Sequence, residues 1–187
     1  MLDSLLAIDK QAFIWVNNGL ANPFLDFICP LIRKQEVWYP LYAIFIFYFI
    51  KQYKQESWKI LLAVGLMILI SDQFSANLVK KTFMRIRPCS EPSLIGITRH
   101  LIASCNGYSF ISAHATNHFA IAVFVPYFFR SNKWLMPVLL FWAFLIAFSQ
   151  VYVGVHYPVD VTVGALVGSL FGFAFSRYIT KYISTTV

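Results

Sequence analysis

The chain has 187 residues, enough for one domain, and a formal net charge of +7. It is 59% hydrophobic and only 12% charged, about half the charged fraction of an ordinary soluble domain, which favours the membrane class. The Lys and Arg residues sit mostly at the ends of apolar segments, where they anchor helices at a bilayer surface, so no nucleic-acid partner is expected.

Residues 1–16 contain Asp3, Asp9 and Lys10 and lack a basic region followed by an apolar core, so no secretory signal is expected. Leu2, Leu5, Leu6, Phe13 and Val16 can line one face of an interfacial helix. Residues 17–23 read as a turn, and residues 23–34 as a second short amphipathic piece. Both pieces are expected to lie on the membrane or on the bundle.

Five apolar segments follow, at 37–50, 60–79, 113–129, 134–155 and 159–176. Asp72 is the one charge inside the second, and Pro158 suits the first turn of the fifth. The expected fold is an all-α integral membrane protein. It has five transmembrane helices, or six if one N-terminal piece crosses, plus N-terminal amphipathic interfacial helices. Residues 1–187 are read as a single membrane-embedded domain, with an interfacial segment at 1–35 and a long loop at 81–111.

Five spans place Lys80, Arg87, His114, His156 and Asp160 on one face. The other face carries Lys51, Lys54, Lys59, Arg130, Lys133, Arg177 and Lys181, with Glu56 as the acid. Short basic loops favour the cytoplasm, so the first face is expected to be extracytoplasmic.

Three constellations share that face. Lys80 and Arg87 lie about two helical turns apart and can grip phosphate oxygens or simply anchor the helix. Ser112, Ala113 and His114 open the third span, where unpaired backbone N–H groups attract anions. His118, one turn later, is read as a packing residue, since 114–118 lacks the Glu of a zinc-protease helix. In 149–160, the Asp160 carboxylate stands four residues from His156. It can take the Nδ1 proton and leave Nε2 free as base or nucleophile, or merely cap the fifth helix.

Taken together, Lys80-x6-Arg87-Pro88, Ser112-Ala113-His114 and Ser149-Gln150-x5-His156-x3-Asp160 resemble the three signature motifs of the type 2 phosphatidic acid phosphatases, the PAP2 superfamily. The resemblance spans residues 80–160. It implies a metal-independent, cofactor-free lipid phosphatase of the bacterial inner membrane with a periplasmic site, acting on a lipid phosphate or isoprenyl diphosphate. By that resemblance His156 is the nucleophile, Asp160 orients it, and His114 protonates the leaving oxygen. Lys80, Arg87, Ser112, the Ala113 backbone and Gln150 hold the phosphoryl oxygens. Phosphatidic acid, phosphatidylglycerol phosphate and lipid A are further candidate substrates.

Two positions depart from the family pattern. Ile111-Ser112-Ala113-His114 stands where the family has Pro-Ser-Gly-His. Gln150 stands where the family has Arg, removing a charge worth on the order of 2–4 kcal/mol of transition-state stabilisation unless it is replaced. Arg85 and Arg99, in the long loop, are the candidate replacements. Without one, a weakly catalytic lipid-binding or scaffold protein is the rival reading. A small transporter and a metal-dependent hydrolase using His114, His118, His156 and Asp160 are the others.

Asp72 is expected to hydrogen-bond Gln73, Asn77 or a facing helix, with a proton relay as the alternative. If the long loop is extracytoplasmic, Cys89 and Cys105 can close it by a disulfide. Gly164, Gly168 and Gly172 form a small-residue stripe expected to pack inside the bundle.

Overall fold

A computed structural model of the chain describes residues 2–103, 105–129 and 132–183. Arg130 and the side chain of Leu2 lie outside the described residues. Among the described residues every regular element is helical. Helix α1 (Leu2–Ile14) runs on through a π turn at Trp15–Gly19. Asn22 opens α2 (Pro23–Ile32): its side chain accepts the Leu25 N–H at 2.9 Å, and Pro23 occupies the first turn, where no N–H is needed.

Helices α3 (Tyr39–Tyr53) and α4 (Ser57–Gln73) form a hairpin that turns where Lys54 takes φ 45°. A π-helical stretch, Phe74–Val79, carries α4 into the short α5 (Lys80–Phe83), which stops at Met84 in the left-handed region. Ser112 caps α6 (Ala113–Phe124), and α7 (Leu135–Tyr152) and α8 (Pro158–Ile179) follow.

Among the described residues three stretches are long and apolar enough to cross a bilayer: Gln35–Leu94, which holds the α3–α4 hairpin, Leu135–Tyr152 and Pro158–Ile179. Their outward faces carry Phe47, Leu66, Phe141 and Leu170, all exposed, as suits contact with lipid. The remaining predicted span forms α6, the middle of the bundle. It packs on α4, α7 and α8 and buries Ala115, Thr116, His118, Ala120, Ala122 and Phe124. Enclosed by its neighbours, α6 can carry polar groups that a lipid-facing helix could not.

Helix α8 meets α6 along the glycine stripe. A Cβ on Gly168 would lie 2.0 Å from the Thr116 carbonyl oxygen, and one on Gly172 2.4 Å from that of Ala120. The helices touch backbone to backbone, as the spacing predicts. Their first turns therefore meet, and the Ser112 N–H donates to the Asp160 carbonyl at 3.1 Å.

The N-terminal helices pack on the bundle, α1 against α8 and α2 against α7. The predicted apolar face of α1 is only partly the buried one. Phe13 is fully buried, but Leu5 and Leu6 are exposed. The buried stripe runs through Asp9, Phe13 and Asn17, four residues apart, because two polar residues there find partners in the bundle. The predicted turn at 17–23 begins only after the π turn, at Leu20.

Cys89 and Cys105 are joined by a disulfide, with Cα atoms 6.1 Å apart. The Cys89 N–H donates to the Gly154 carbonyl at 3.1 Å, which ties the long loop to the turn between α7 and α8. At the opposite end of the bundle, Lys59 pairs with Glu56 at 2.6 Å and donates to the Tyr182 carbonyl at 3.1 Å.

The stripe gives a direct test. Gly168→Ala must force α6 and α8 apart, with an expected loss of about 1–3 kcal/mol. A Cβ on Gly65, in α4, meets nothing within 4 Å, so Gly65→Ala should leave stability unchanged or raise it by about 0.5–1 kcal/mol. Unfolding midpoints in detergent micelles check both.

Candidate active site

The turn after α7 folds back on Gln150. The Gln150 carbonyl accepts the Val155 and His156 N–H groups at 3.2 and 3.3 Å. Gly154 makes the turn at φ 91°, a conformation that side chains disfavour, and a Cβ there would sit 3.1 Å from the Arg99 carbonyl oxygen. His156 is thereby buried at the mouth of α8, and its Nδ1 faces Asp160 Oδ2 at 3.5 Å. That separation is longer than a made hydrogen bond, and among the described residues Nδ1 has no hydrogen-bond partner.

Asp160 is held on every side. Its Oδ2 accepts the Tyr157 N–H at 2.9 Å, and its Oδ1 accepts from Arg85 Nη1 at 2.6 Å. The second arm of Arg85 donates to Asp9 Oδ2 at 2.6 Å, and Asp9 Oδ1 accepts the Val159 N–H at 2.9 Å. The guanidinium lies 3.9 Å over the Tyr157 ring.

His114 stands on the first turn of α6. Its ring is stacked on His118 with centroids 6.3 Å apart. Arg33, His156 and Lys80 all lie close enough to act on its charge. His118 itself is fully engaged. Its Nδ1 meets the His114 carbonyl at 2.7 Å, its Nε2 meets the Tyr42 hydroxyl at 3.2 Å, and Trp142 sits edge-on at 5.1 Å. That is the packing role predicted for it.

Lys80 and Arg87 lie on the same side of the bundle, where Arg87 acts on Lys80 and Asp160 acts on both. Arg87 Nε and Gln150 Nε2 are buried donors without a hydrogen-bond partner among the described residues. Ser112 Oγ accepts the Ala115 N–H at 3.4 Å as the α6 cap. Ala113 begins α6 with a right-handed backbone, so the family's glycine is not needed for its angles.

The bundle thus brings Lys80, Arg87, Ser112, Ala113, His114, Gln150, His156 and Asp160 to one end. The two replacement candidates for the missing arginine are committed elsewhere. Arg85 spans Asp9 and Asp160, and Arg99 binds Asp26 at 2.6 and 2.5 Å. Asp72 accepts from Asn117 on the facing α6 at 3.3 Å, while Asn117 also accepts from Ser71 at 2.6 Å. Among the described residues no group of three or more His, Cys, Asp or Glu side chains is placed to hold a metal ion.

Asp9, Tyr157 and Arg33 reach the site without any motif announcing them. Asp9 offered one signal, an acid on the same helical face as Phe13. Arg33 sits beside Lys34 at the end of a short apolar helix and reads locally as an anchor.

The chain matches the PAP2 superfamily over residues 58–184. It is 32% identical over 162 residues to a lipid A 4'-phosphatase of Porphyromonas gingivalis, across 86% of this chain and 68% of that protein. It is 30% identical over 167 residues to a lipid A 4'-phosphatase of Bacteroides thetaiotaomicron, across 86% of this chain and 72% of that protein. The crystal structure of Aquifex aeolicus LpxE superposes with a TM-score of 0.68 at 29% identity, covering 90% of this chain and 94% of that one. A PAP2-type phosphatidylglycerolphosphate phosphatase from Bacillus subtilis superposes with a TM-score of 0.73 at 20% identity, covering 98% and 90%, a likeness of fold.

The Asp9–Arg85–Asp160 clamp can be tested alone. Asp9→Ala leaves Arg85 with one carboxylate and the Val159 N–H with none. The expected loss is about 3 kcal/mol of stability, measured by denaturation in micelles.

Proposed function

The chain belongs to the PAP2 superfamily, and on that premise we propose that it is an integral membrane phosphatase that removes a phosphate monoester from a lipid through a phosphohistidine. One observation carries the role of the site. Lys80, Arg87 and Arg33 gather around two imidazoles, and among the described residues the three cations form no ion pair and the buried donors Arg87 Nε and Gln150 Nε2 have no hydrogen-bond partner. Like charges held together in a poorly solvated place call for an anion.

In the proposed reaction the phosphoryl oxygens rest on Lys80, Arg87, Ser112 Oγ, the Ala113 N–H and Gln150 Nε2. His156 Nε2 attacks phosphorus in line. The N–P bond forms as the P–O bond to the lipid breaks, and His114 gives its proton to the leaving oxygen. Water then attacks the phosphohistidine and loses a proton to His114, the N–P bond breaks, and inorganic phosphate leaves. Asp160 stabilises the charge that develops on His156. Positioning and electrostatic stabilisation carry most of such a transfer.

A cavity of about 260 Å³ supports a lipid substrate. It runs between α3, α4 and α6, lined by Tyr42, Phe45, Phe49, Ile68, Asn117 and His118, one turn below His114. An acyl chain suits those walls. We take the whole chain as one functional unit in the bacterial inner membrane, with residues 81–111 and the site on the periplasmic side. The Cys89–Cys105 disulfide fits that oxidising compartment. A phosphate on lipid A is the first substrate to test, given the relatives' activity. Phosphatidic acid, phosphatidylglycerol phosphate and isoprenyl diphosphates are its competitors.

Purified protein should release phosphate from at least one of these lipids, with or without chelator, and His156→Ala should lose the activity by at least about 10³-fold. Burial pushes the His156 imidazole down to about 4 from its ordinary 6.5, so the acidic limb that this group sets in kcat/KM should fall near pH 4. Undiminished release by His156→Ala would refute the proposed nucleophile.

A further inference from the structure

Position 150 leaves the phosphoryl group one cation short of the family pattern, and neither loop arginine is free to make up the loss. The structure offers another. Arg33, at the C-terminal end of α2, places Nε and Nη2 each 3.4 Å from Gln150 Oε1. Gln150 is wholly buried. With Oε1 turned to Arg33, its Nε2 is left without a partner among the described residues, an arrangement that buried amides rarely keep unless water, an ion or a ligand completes it.

Arg33 is itself held in place. Trp38 Nε1 donates to the Ile32 carbonyl at 2.7 Å, beside it in the chain. Helix α2 is fastened to α7 through Asp26, which accepts from the Tyr152 hydroxyl at 2.6 Å and from Arg99. Arg33 forms no ion pair among the described residues, yet its charge reaches both Arg87 and His114. The guanidinium is therefore in the site, oriented, and without a counter-ion.

We propose that Arg33 and Gln150 together replace the arginine of the third motif, Arg33 supplying the positive charge and Gln150 Nε2 the directed hydrogen bond to a non-bridging phosphoryl oxygen. Gln150 Oε1 aligns the guanidinium, and the guanidinium fixes which way the amide faces. The charge is moved from the motif to the N-terminal segment. The proposal rests on the phosphatase reading, because it assigns a role within that site.

The test compares wild type with Arg33→Gln, Arg33→Lys and the double variant Arg33→Gln/Gln150→Arg, all as full chains in micelles. Three quantities are read: kcat/KM on the phosphorylated lipid, the inhibition constant of inorganic phosphate, and the thermal midpoint. Arg33→Gln should lose about 100-fold in kcat/KM, the scale for one oxyanion-binding donor, and bind inorganic phosphate at least about 10-fold more weakly at an unchanged midpoint. Arg33→Lys should keep part of the phosphate affinity. The double variant should recover at least about 10-fold of the lost kcat/KM.

Arg33→Gln within about 3-fold of wild type in both kinetic readouts would overturn the proposal. So would a loss that follows the midpoint down and is not rescued by Gln150→Arg. If wild type releases phosphate from no lipid, the phosphatase reading falls and the midpoint shift with inorganic phosphate decides. A shift in wild type that Arg33→Gln abolishes upholds Arg33 as an anion ligand, and equal shifts refute it.

Discussion

Arg85 between two buried carboxylates is the interaction on which the rest of the site depends. It joins α1 through Asp9, the long loop through its own backbone, and α8 through Asp160. A buried arginine with one acid would leave a second acid uncompensated. With both, each charge in the triad is met and Asp160 keeps a fixed orientation. Asp160 in turn faces His156 and, through its backbone carbonyl, receives the Ser112 N–H. Three parts of the chain far apart in sequence are thus locked around one carboxylate. The geometry of the site is set by charges that are already satisfied.

The phosphate-facing groups are arranged in the opposite way. Arg87 is repelled by Arg33 and in turn repels Lys80, and among the described residues none of the three is closed in a salt bridge with a carboxylate. The glycine stripe of α8 keeps α6 close enough for these groups to converge on His114 and His156. A rigid, satisfied triad therefore supports an unsatisfied cluster. The first keeps the second from relaxing before substrate arrives, which is the preorganisation that phosphoryl transfer uses.

Much of this was legible in the sequence, for physical reasons. Apolar runs long enough to span fixed the helices, and motif order put their ends together. Gly164, Gly168 and Gly172, spaced by four, announced a close helix contact, and Cys89 and Cys105 bracketed the loop that their disulfide closes. Other features depended on tertiary partners that no local pattern reveals. Asp9 looked like an acid on an interfacial helix until Arg85 met it. Arg85 and Arg99 looked available for phosphate until Asp9, Asp160 and Asp26 claimed them. Arg33 looked like a membrane anchor until the fold laid α2 across Gln150. Leu5 and Leu6 stay exposed while Asp9, Phe13 and Asn17 are buried, because apolar residues next to a bilayer need not turn toward protein.

The central claim is that His156 takes the phosphoryl group onto its ring. Brief exposure of the protein to a lipid carrying a labelled phosphate, followed by quenching in alkali, tests it most directly, since a phosphohistidine survives alkali and is lost in acid. Label mapped to the peptide containing His156, and missing from His156→Ala, is the predicted result. Turnover at a normal rate with no label on that peptide, or with label on another residue, would contradict it.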